Sequence, residues 1–466
     1  MRKWIALLAV TTLAGCANMA PPHERPALPT APDYPQAFVG DVTLGQRATD
    51  IAWQDFFADP QLEVLIAQAI ERNRDLAVAV AQIEEARGLY RIQDADRLPT
   101  VGASADAART HGPSLTGAGT DTTSRYSVGV GVTSFELDFW GRVKNLSEAA
   151  RSQYLATEQA ERAFRLALVR DVASTYFASR GAEEQIALAE ATVTSRKEGL
   201  RIARRRLDAG VTSALDYRQS ETLLTQAETQ LASLKLGKAQ ADNFLAVLTG
   251  GPVAGPLPAP LPLVAQGQSP VVTAGLPSDL LVARPDILAA EERLRAARAN
   301  IGAARAAFFP SISLTGNLGL ASGSLDDLFS NDGFGWSFGP SISLPIFDFG
   351  RNKGNLTVAE ARENIAVATY ERTVQGAFRE VADALAGRRY LAAQVEAQER
   401  GTLAQRQIAD LARKRYREGV STYLEVLDAE RNLFAAEQTL IETRRAQVDN
   451  LVTLYVALGG GLVERR

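Results

Sequence analysis

The sequence predicts a mainly helical protein with a transmembrane β part, built from tandem-duplicated long helical hairpins. Three observations carry this. Residues 141–208 contain no proline and only two interior glycines, Gly181 and Gly199. Apolar or small residues recur there in steps of three and four, at Val143, Leu146, Ala150, Tyr154, Thr157, Ala160, Phe164, Leu168, Val172 and Tyr176. That spacing is one helical face, and at ~1.5 Å per residue the helix would be about 100 Å long. The stretch then recurs 209 positions later: Gly141-Arg142 falls on Gly350-Arg351, Gly210-Val211 on Gly419-Val420, and Gly250-Gly251 on Gly459-Gly460. Finally, beyond Pro99 and Pro310 the hydrophobic period changes from helical to alternating.

Composition removes several alternatives. The chain has 466 residues, a formal net charge of −4 and 22% charged residues, whereas nucleic-acid binding wants a basic surface. One cysteine and two histidines leave almost nothing for metal or disulfide chemistry. Ser/His/Asp catalysis would need His23, in a proline-rich strap, or His111, in a strand-and-loop segment. The expectation is no enzyme, no cofactor and no metal.

Residues 1–15 read as an export signal, with Arg2 and Lys3 followed by a short apolar run from Trp4 to Leu13. Leu13-Ala14-Gly15-Cys16 then matches the pattern of a bacterial lipoprotein signal, which makes Cys16 the candidate lipidation site. The rest of residues 16–58 carries six prolines between Pro21 and Pro35 and reads as an extended strap, with His23 and Tyr34 as surface residues.

Residues 59–250 form the first repeat. Asp59-Pro60 supplies N-cap and first-turn chemistry for a helix running to about Leu98, where Pro99 stops it. A hairpin follows, with a weak strand near Val101–Arg109, a loop over 111–124, and Tyr126, Val128, Val130 and Val132 alternating with small residues. The long helix comes next, reversing at Gly210, and a return helix ends near Thr249. A proline-rich connector covers 251–277. The second repeat, 278–458, has a helix from about Ser278 to Phe309, a second hairpin with its loop over 321–333, and a reversal at Gly419. Residues 459–466 are a C-terminal tail. Gly210 and Gly419 suit left-handed helix ends, and Ser213 with Asp216 and Thr422 with Glu425 have capping-box spacing.

The strands point to lipid. Their polar positions carry almost no Lys or Glu, and aromatics cluster at their ends (Phe308, Phe309, Phe334, Trp336, Phe347, Phe349, Tyr126, Phe135, Phe139, Trp140). Apolar-outward, small-inward strands with aromatic girdles describe a transmembrane barrel. Four strands cannot close one, and open edges are not tolerated in lipid, so a cyclic homo-oligomer must supply the rest. Two chains would give eight strands and three would give twelve. Twelve helical passes leave the wider axial channel, which favours a trimer.

The motifs now on the page are the lipoprotein signal, "FELDFWGR" and "LPIFDFGR", "ARPDILAAEERLRAARANIGAARAAFFPSISLTG", and the tips "RRLDAGVTSALDY" and "RYREGVSTYLEVLDAER". Together they resemble the TolC-like outer-membrane efflux proteins, above all the lipoprotein branch of OprM and NodT type. The resemblance covers nearly the whole mature chain. It implies a homotrimeric α-barrel with four strands per chain contributing to a shared twelve-stranded β-barrel. It further implies a lipid-anchored protein of the Gram-negative outer membrane, with its helices in the periplasm. There it would be the exit duct of a tripartite system, receiving small molecules such as drugs from an inner-membrane pump of the resistance-nodulation-division class through a periplasmic adaptor. The alternatives are a duct for secreted proteins or a periplasmic adaptor or scaffold lipoprotein. The resemblance also implies a periplasmic gate on the second return helix: Leu424 as the constricting apolar residue, Asp428 as an acidic ring and Arg431 as its tether. Three aspartates facing one axis would repel one another and attract cations; the plainer role for Asp428 is to complement the positive end of its helix. Arg206 and Arg415, each four residues before the tip glycines Gly210 and Gly419, would dock the adaptor, or simply suit a helix C-terminus.

Overall fold

The computed structural model describes residues 18–35, 45–113, 117, 119–252, 256–266, 270–273, 275 and 277–465. Cys16 and the export signal lie outside the described residues. In order, the main elements are α1 (Pro60–Arg72), α2 (Arg74–Ala95), β1 (Val101–Pro113), β2 (Thr120–Glu136), α3 (Arg142–Asp208), α4 (Ala214–Leu248), α5 (Pro285–Ala306), β3 (Ser311–Ser322), β4 (Phe334–Ser343), α6 (Arg351–Arg417) and α7 (Tyr423–Ala457). The long helices α3 and α6 have 67 residues each and the return helices α4 and α7 have 35 each. The duplication therefore holds residue for residue along both hairpins. No described helix is long and apolar enough to cross a membrane.

The chain divides into two compact units, each drawn from both repeats. One holds the four strands and the helix segments next to them. Its sheet is antiparallel in the order β1-β2-β3-β4, leaving β1 and β4 as open edges. The register settles which residues share a face. Asp106 lies opposite Ser127, Ser127 opposite Ala321, Gly131 opposite Asn317, and Asn317 opposite Ser337. With alternation along each strand, one face is Gly, Ser, Thr, Asn and a few charges. The other gathers Val128, Val130, Leu318, Leu320, Phe334, Trp336 and Phe338. At the helix end of the sheet Trp140 stacks on Phe309 at 4.6 Å and donates to the Pro310 carbonyl at 3.0 Å, while Phe347 and Phe349 stay exposed.

The other unit holds the two helical tips and the ends of the return helices. Its core is built around Leu62, Ile66, Val169, Val172, Phe177, Leu385 and Tyr455, all fully buried or nearly so. Of the stripe read from sequence on α3, Val143, Leu168, Val172 and Tyr176 are buried, whereas the positions between Leu146 and Phe164 are only half-buried. Small residues are buried there instead, including Ala149, Ser152 and Ala156.

Five expectations need correction. The helix expected from Asp59 to Leu98 is two helices, broken at Asn73, whose backbone is extended (ψ 129°). The Asn73 amide donates to the Leu248 carbonyl at 2.9 Å and its oxygen accepts from Leu76 N–H at 2.8 Å, so it ends one helix and caps the next. The counterpart helix breaks at Arg284, ahead of Pro285, as expected for a residue before proline. Both strands of the first hairpin run into the expected loop, where His111 meets Thr122 at 2.9 Å. Thr422 forms no side-chain cap. Tyr34 is not a surface residue: it is buried and stacks on Phe378 at 5.1 Å, whereas His23 is exposed as expected, with its ring 3.2 Å from the buried Glu291.

Candidate functional site: the helical tips

Each tip ends in the same backbone motif. Gly210 (φ 70°) and Gly419 (φ 75°) sit in the left-handed region. Val211 N–H donates back to the Arg206 carbonyl and Val420 N–H to that of Arg415, both at 2.9 Å, while the glycine N–H groups reach Leu207 and Tyr416. This is a Schellman end, in which a side chain at the glycine position would be strained.

The side chains differ between the tips. At the first, Ser213 and Asp216 complete a reciprocal capping box. The Thr212 hydroxyl and the Ser213 N–H donate to the Asp216 carboxylate, holding it below the usual aspartate range. At the second, Glu425 turns to Arg415 at 3.7 Å. Arg206 crosses from α3 to α6, donating to the Tyr416 hydroxyl and lying 5.2 Å from its ring centre. Both arginines assigned to adaptor docking thus already have partners within the chain.

On α7, Val426 and Ala429 are buried against Ala409 and Ala412 of α6, with Tyr416, Tyr423 and Leu433 packed around them. Leu424, Asp428 and Arg431, spaced i, i+4, i+7, share a different face; Leu424 and Arg431 are exposed and Asp428 is half-buried. Arg431 donates to Asp428 at 2.7 Å. The structure therefore brings the three proposed gate residues together on one open face, with aspartate and arginine paired. Their first-repeat counterparts are Leu215, Gln219 and Thr222, which are neutral.

One residue at the tip gave no sequence signal. Arg196 lies in a charged stretch of α3 and reads as solvated, yet it is 7% exposed. Its guanidinium donates to the Leu223 carbonyl of α4 at 2.6 Å and lies 5.3 Å from the ring centre of Phe434 on α7. Burial pushes its pKa below the usual arginine value. It borders a cavity of about 610 Å³ among α3, α4, α6 and α7, lined also by Asp410, Arg413, Tyr416, Tyr423 and Glu430. Among the described residues no group of three or more His, Cys, Asp or Glu is placed to hold a metal ion.

Comparison with known proteins gives consistent results from end to end. The sequence model of the outer membrane efflux protein family matches residues 65–251 and 276–460, one segment per repeat. The chain is 44% identical over 466 residues to the solvent efflux pump outer membrane protein SrpC of Pseudomonas putida, with 98% of each chain covered. It is 41% identical over 460 residues to the cation efflux system protein CusC of Escherichia coli K12, covering 98% of this chain and 99% of that one. Among solved structures, the open state of the MtrE outer membrane channel of Neisseria gonorrhoeae superimposes with a TM-score of 0.86 at 41% identity, covering 96% of this chain and 99% of that one. The chain belongs to the outer membrane efflux protein family and is an outer-membrane exit duct for efflux.

Proposed function

We propose that three copies close a twelve-stranded barrel continued by an α-barrel, forming the exit duct of a tripartite system for small molecules such as drugs or solvents. The observation that carries the proposal is the sheet itself: two open edges and two chemically opposite faces. An edge strand in lipid has no water to satisfy its N–H and C=O groups, so β1 of one copy pairing with β4 of the next is the economical closure. A resistance-nodulation-division pump in the inner membrane and a periplasmic adaptor supply the cargo. Leu424, Asp428 and Arg431 form the gate at the helical tips, and the tip arginines Arg206 and Arg415 with Gly210 and Gly419 meet the adaptor. Cys16 carries the lipid anchor.

The test is native mass spectrometry of the protein extracted from outer membranes, alongside drug and solvent tolerance of a host lacking its own duct. Three chains, each with a mass increment of a triacylated cysteine, and tolerance restored only when the cognate pump and adaptor are present, are the expected results. A monomer or dimer would contradict the assembly. Tolerance independent of any pump would contradict the tripartite reading.

A further inference from the structure

The small-residue face of the sheet is not uncharged. Along the four strands it carries Asp106, Asp121, Arg125 and, at its helix end, Glu136, which is taken up by Arg142 at 2.5 Å. Asp106 and Arg125 stand closest to each other. Asp106 is opposite Ser127, and Arg125 is two residues from Ser127 along β2 on the same face. Diagonal cross-strand neighbours of this kind lie within reach of each other's fields. Both are exposed, and both line a cavity of about 290 Å³ whose walls include Ser104, Ser127, Asn317 and Ser337. Most of that lining belongs to the Gly/Ser face, with Val128, Leu320 and Trp336 also at its border, and the barrel reading puts the small residues inside and Val, Leu and Trp outside. No ion pair of Asp106 or Arg125 is formed among the described residues.

We propose that Asp106 and Arg125 form an opposed-charge filter in the lumen of the β-barrel, separate from the gate at the helical tips and acting on small ionic solutes. This rests on the trimeric barrel of the preceding section. Three copies turn the pair into a ring of three aspartates and a ring of three arginines, the arginine ring about 7 Å nearer the loop end. The surrounding wall is Gly, Ser and Asn, which neither shields these charges with bulk nor competes with them. Beyond the Asp121 level near the loops, a cation entering from outside meets the arginine ring before the Asp106 ring, and an anion that passes the arginines is then met by those aspartates, so each ring of the pair opposes what the other attracts. Three unit charges at ~10 Å across water change an ion's local free energy enough to alter its passage severalfold, and salt weakens the effect.

Cysteine reactivity tests this without requiring the tip gate to open. Ser337 faces the same lumen, level with Asn317 and Gly131 and ~13 Å past the pair as seen from the loop end. A cationic and an anionic methanethiosulfonate reagent would be applied from outside to cells carrying Ser337→Cys, and in parallel Asn317→Cys, with unaltered protein as the blank. The ratio of cationic to anionic reaction rate is expected to rise on the order of fivefold with Arg125→Ala and fall by a similar factor with Asp106→Ala. The double replacement should return it close to the starting ratio, and the shifts should shrink in high salt. Reaction at Ser337→Cys with a ratio that no replacement moves would overturn the filter and leave the barrel standing. Reaction at Trp336→Cys in place of Ser337→Cys, or at neither, would remove the water-filled small-residue lumen and the barrel reading with it.

Discussion

At Asn73 the first repeat breaks its helix with an amide that donates to the Leu248 carbonyl; at Arg284 the second breaks it with a guanidinium that donates to the Ala457 carbonyl at 3.1 Å. The acceptors, the last residues of α4 and α7, occupy corresponding places. The same backbone problem, an unsatisfied helix end beside a kink, is solved by a neutral group in one copy and a charged one in the other. Arg284 then draws in Asp286 and Glu380, both at 2.7 Å. The pattern recurs elsewhere. Glu291 on α5 is buried and holds Arg25 of the strap at 2.9 Å, whereas its counterpart on α2 is the exposed Val80. Asp428 and Arg431 on α7 correspond to Gln219 and Thr222 on α4. Duplication kept the geometry; at these three places the charge lies in the second copy, where the strap docks and the gate is proposed. A ring assembled from three chains would then alternate charged and neutral residues at the level of Asp428 and Gln219, confining repulsion there to three carboxylates rather than six.

The comparison can be broken first where the copies agree. A side chain at Gly250 would collide with the Arg72 carbonyl and one at Gly459 with that of Ala283, and both glycines have positive φ. Gly250→Val and Gly459→Val should each cost at least ~3 kcal/mol, read as loss of folded protein on heating in detergent, with the two alike. The copies should next separate at the kink. Arg284→Ala leaves Asp286, Glu380 and a carbonyl without their donor and should cost about 3 kcal/mol. Asn73→Ala removes one amide and should cost about 1–2 kcal/mol. Equal losses would refute the charged-versus-neutral distinction. At the tips, Ser213→Ala should cost about 1 kcal/mol and speed amide exchange in the first turn of α4, while Thr422→Ala should leave α7 unchanged.

The smallest effect is that of pH on the strap. Burial pushes the Glu291 carboxyl up, but hydrogen bonds from Arg25 and His23 outweigh it and hold its pKa below the usual value. Because it is lowered in the folded state, its stabilising contribution is present above the ordinary glutamate range, about pH 4.3, and is lost as pH falls below it. Proteolytic cleavage at Arg25 should accelerate over that acid range, and Glu291→Gln should make cleavage fast at neutral pH as well.

How much of this was legible depended on whether the signal was local. The hairpins, their lengths and their glycine reversals follow from periodicity and a repeat, so α3, α4, α6 and α7 could be read directly. The break at Asn73 was missed because nothing at Arg72-Asn73-Arg74 interrupts helical propensity; its cause is the distant Leu248 carbonyl. The repeat held the clue, since Arg74 aligns with Pro285, and a proline in one copy marks the kink in both. The strand ends at His111 and Thr122 looked like loop because polar Gly/Ser/Thr sequence does not distinguish the two, whereas pairing does. Tyr34 sits among prolines that predict exposure, yet it is buried against Phe378, more than 340 positions away; His23 is exposed as expected, and only its contact with Glu291 has no local signal. At the tips, the shared face of Leu424, Asp428 and Arg431 follows from spacing, but the burial of Arg196 depends on α4 and α7 and has no local trace.

The central proposed asymmetry, a charged gate on α7 and none on α4, is most directly tested by single-channel conductance in planar bilayers. Unaltered protein would be compared with Asp428→Ala and with Gln219→Ala at the corresponding place. A small, cation-selective conductance that rises and loses selectivity only in Asp428→Ala is the expected result. Conductance unchanged by Asp428→Ala, or changed equally by Gln219→Ala, would contradict it and return Asp428 to the role of complementing its helix end.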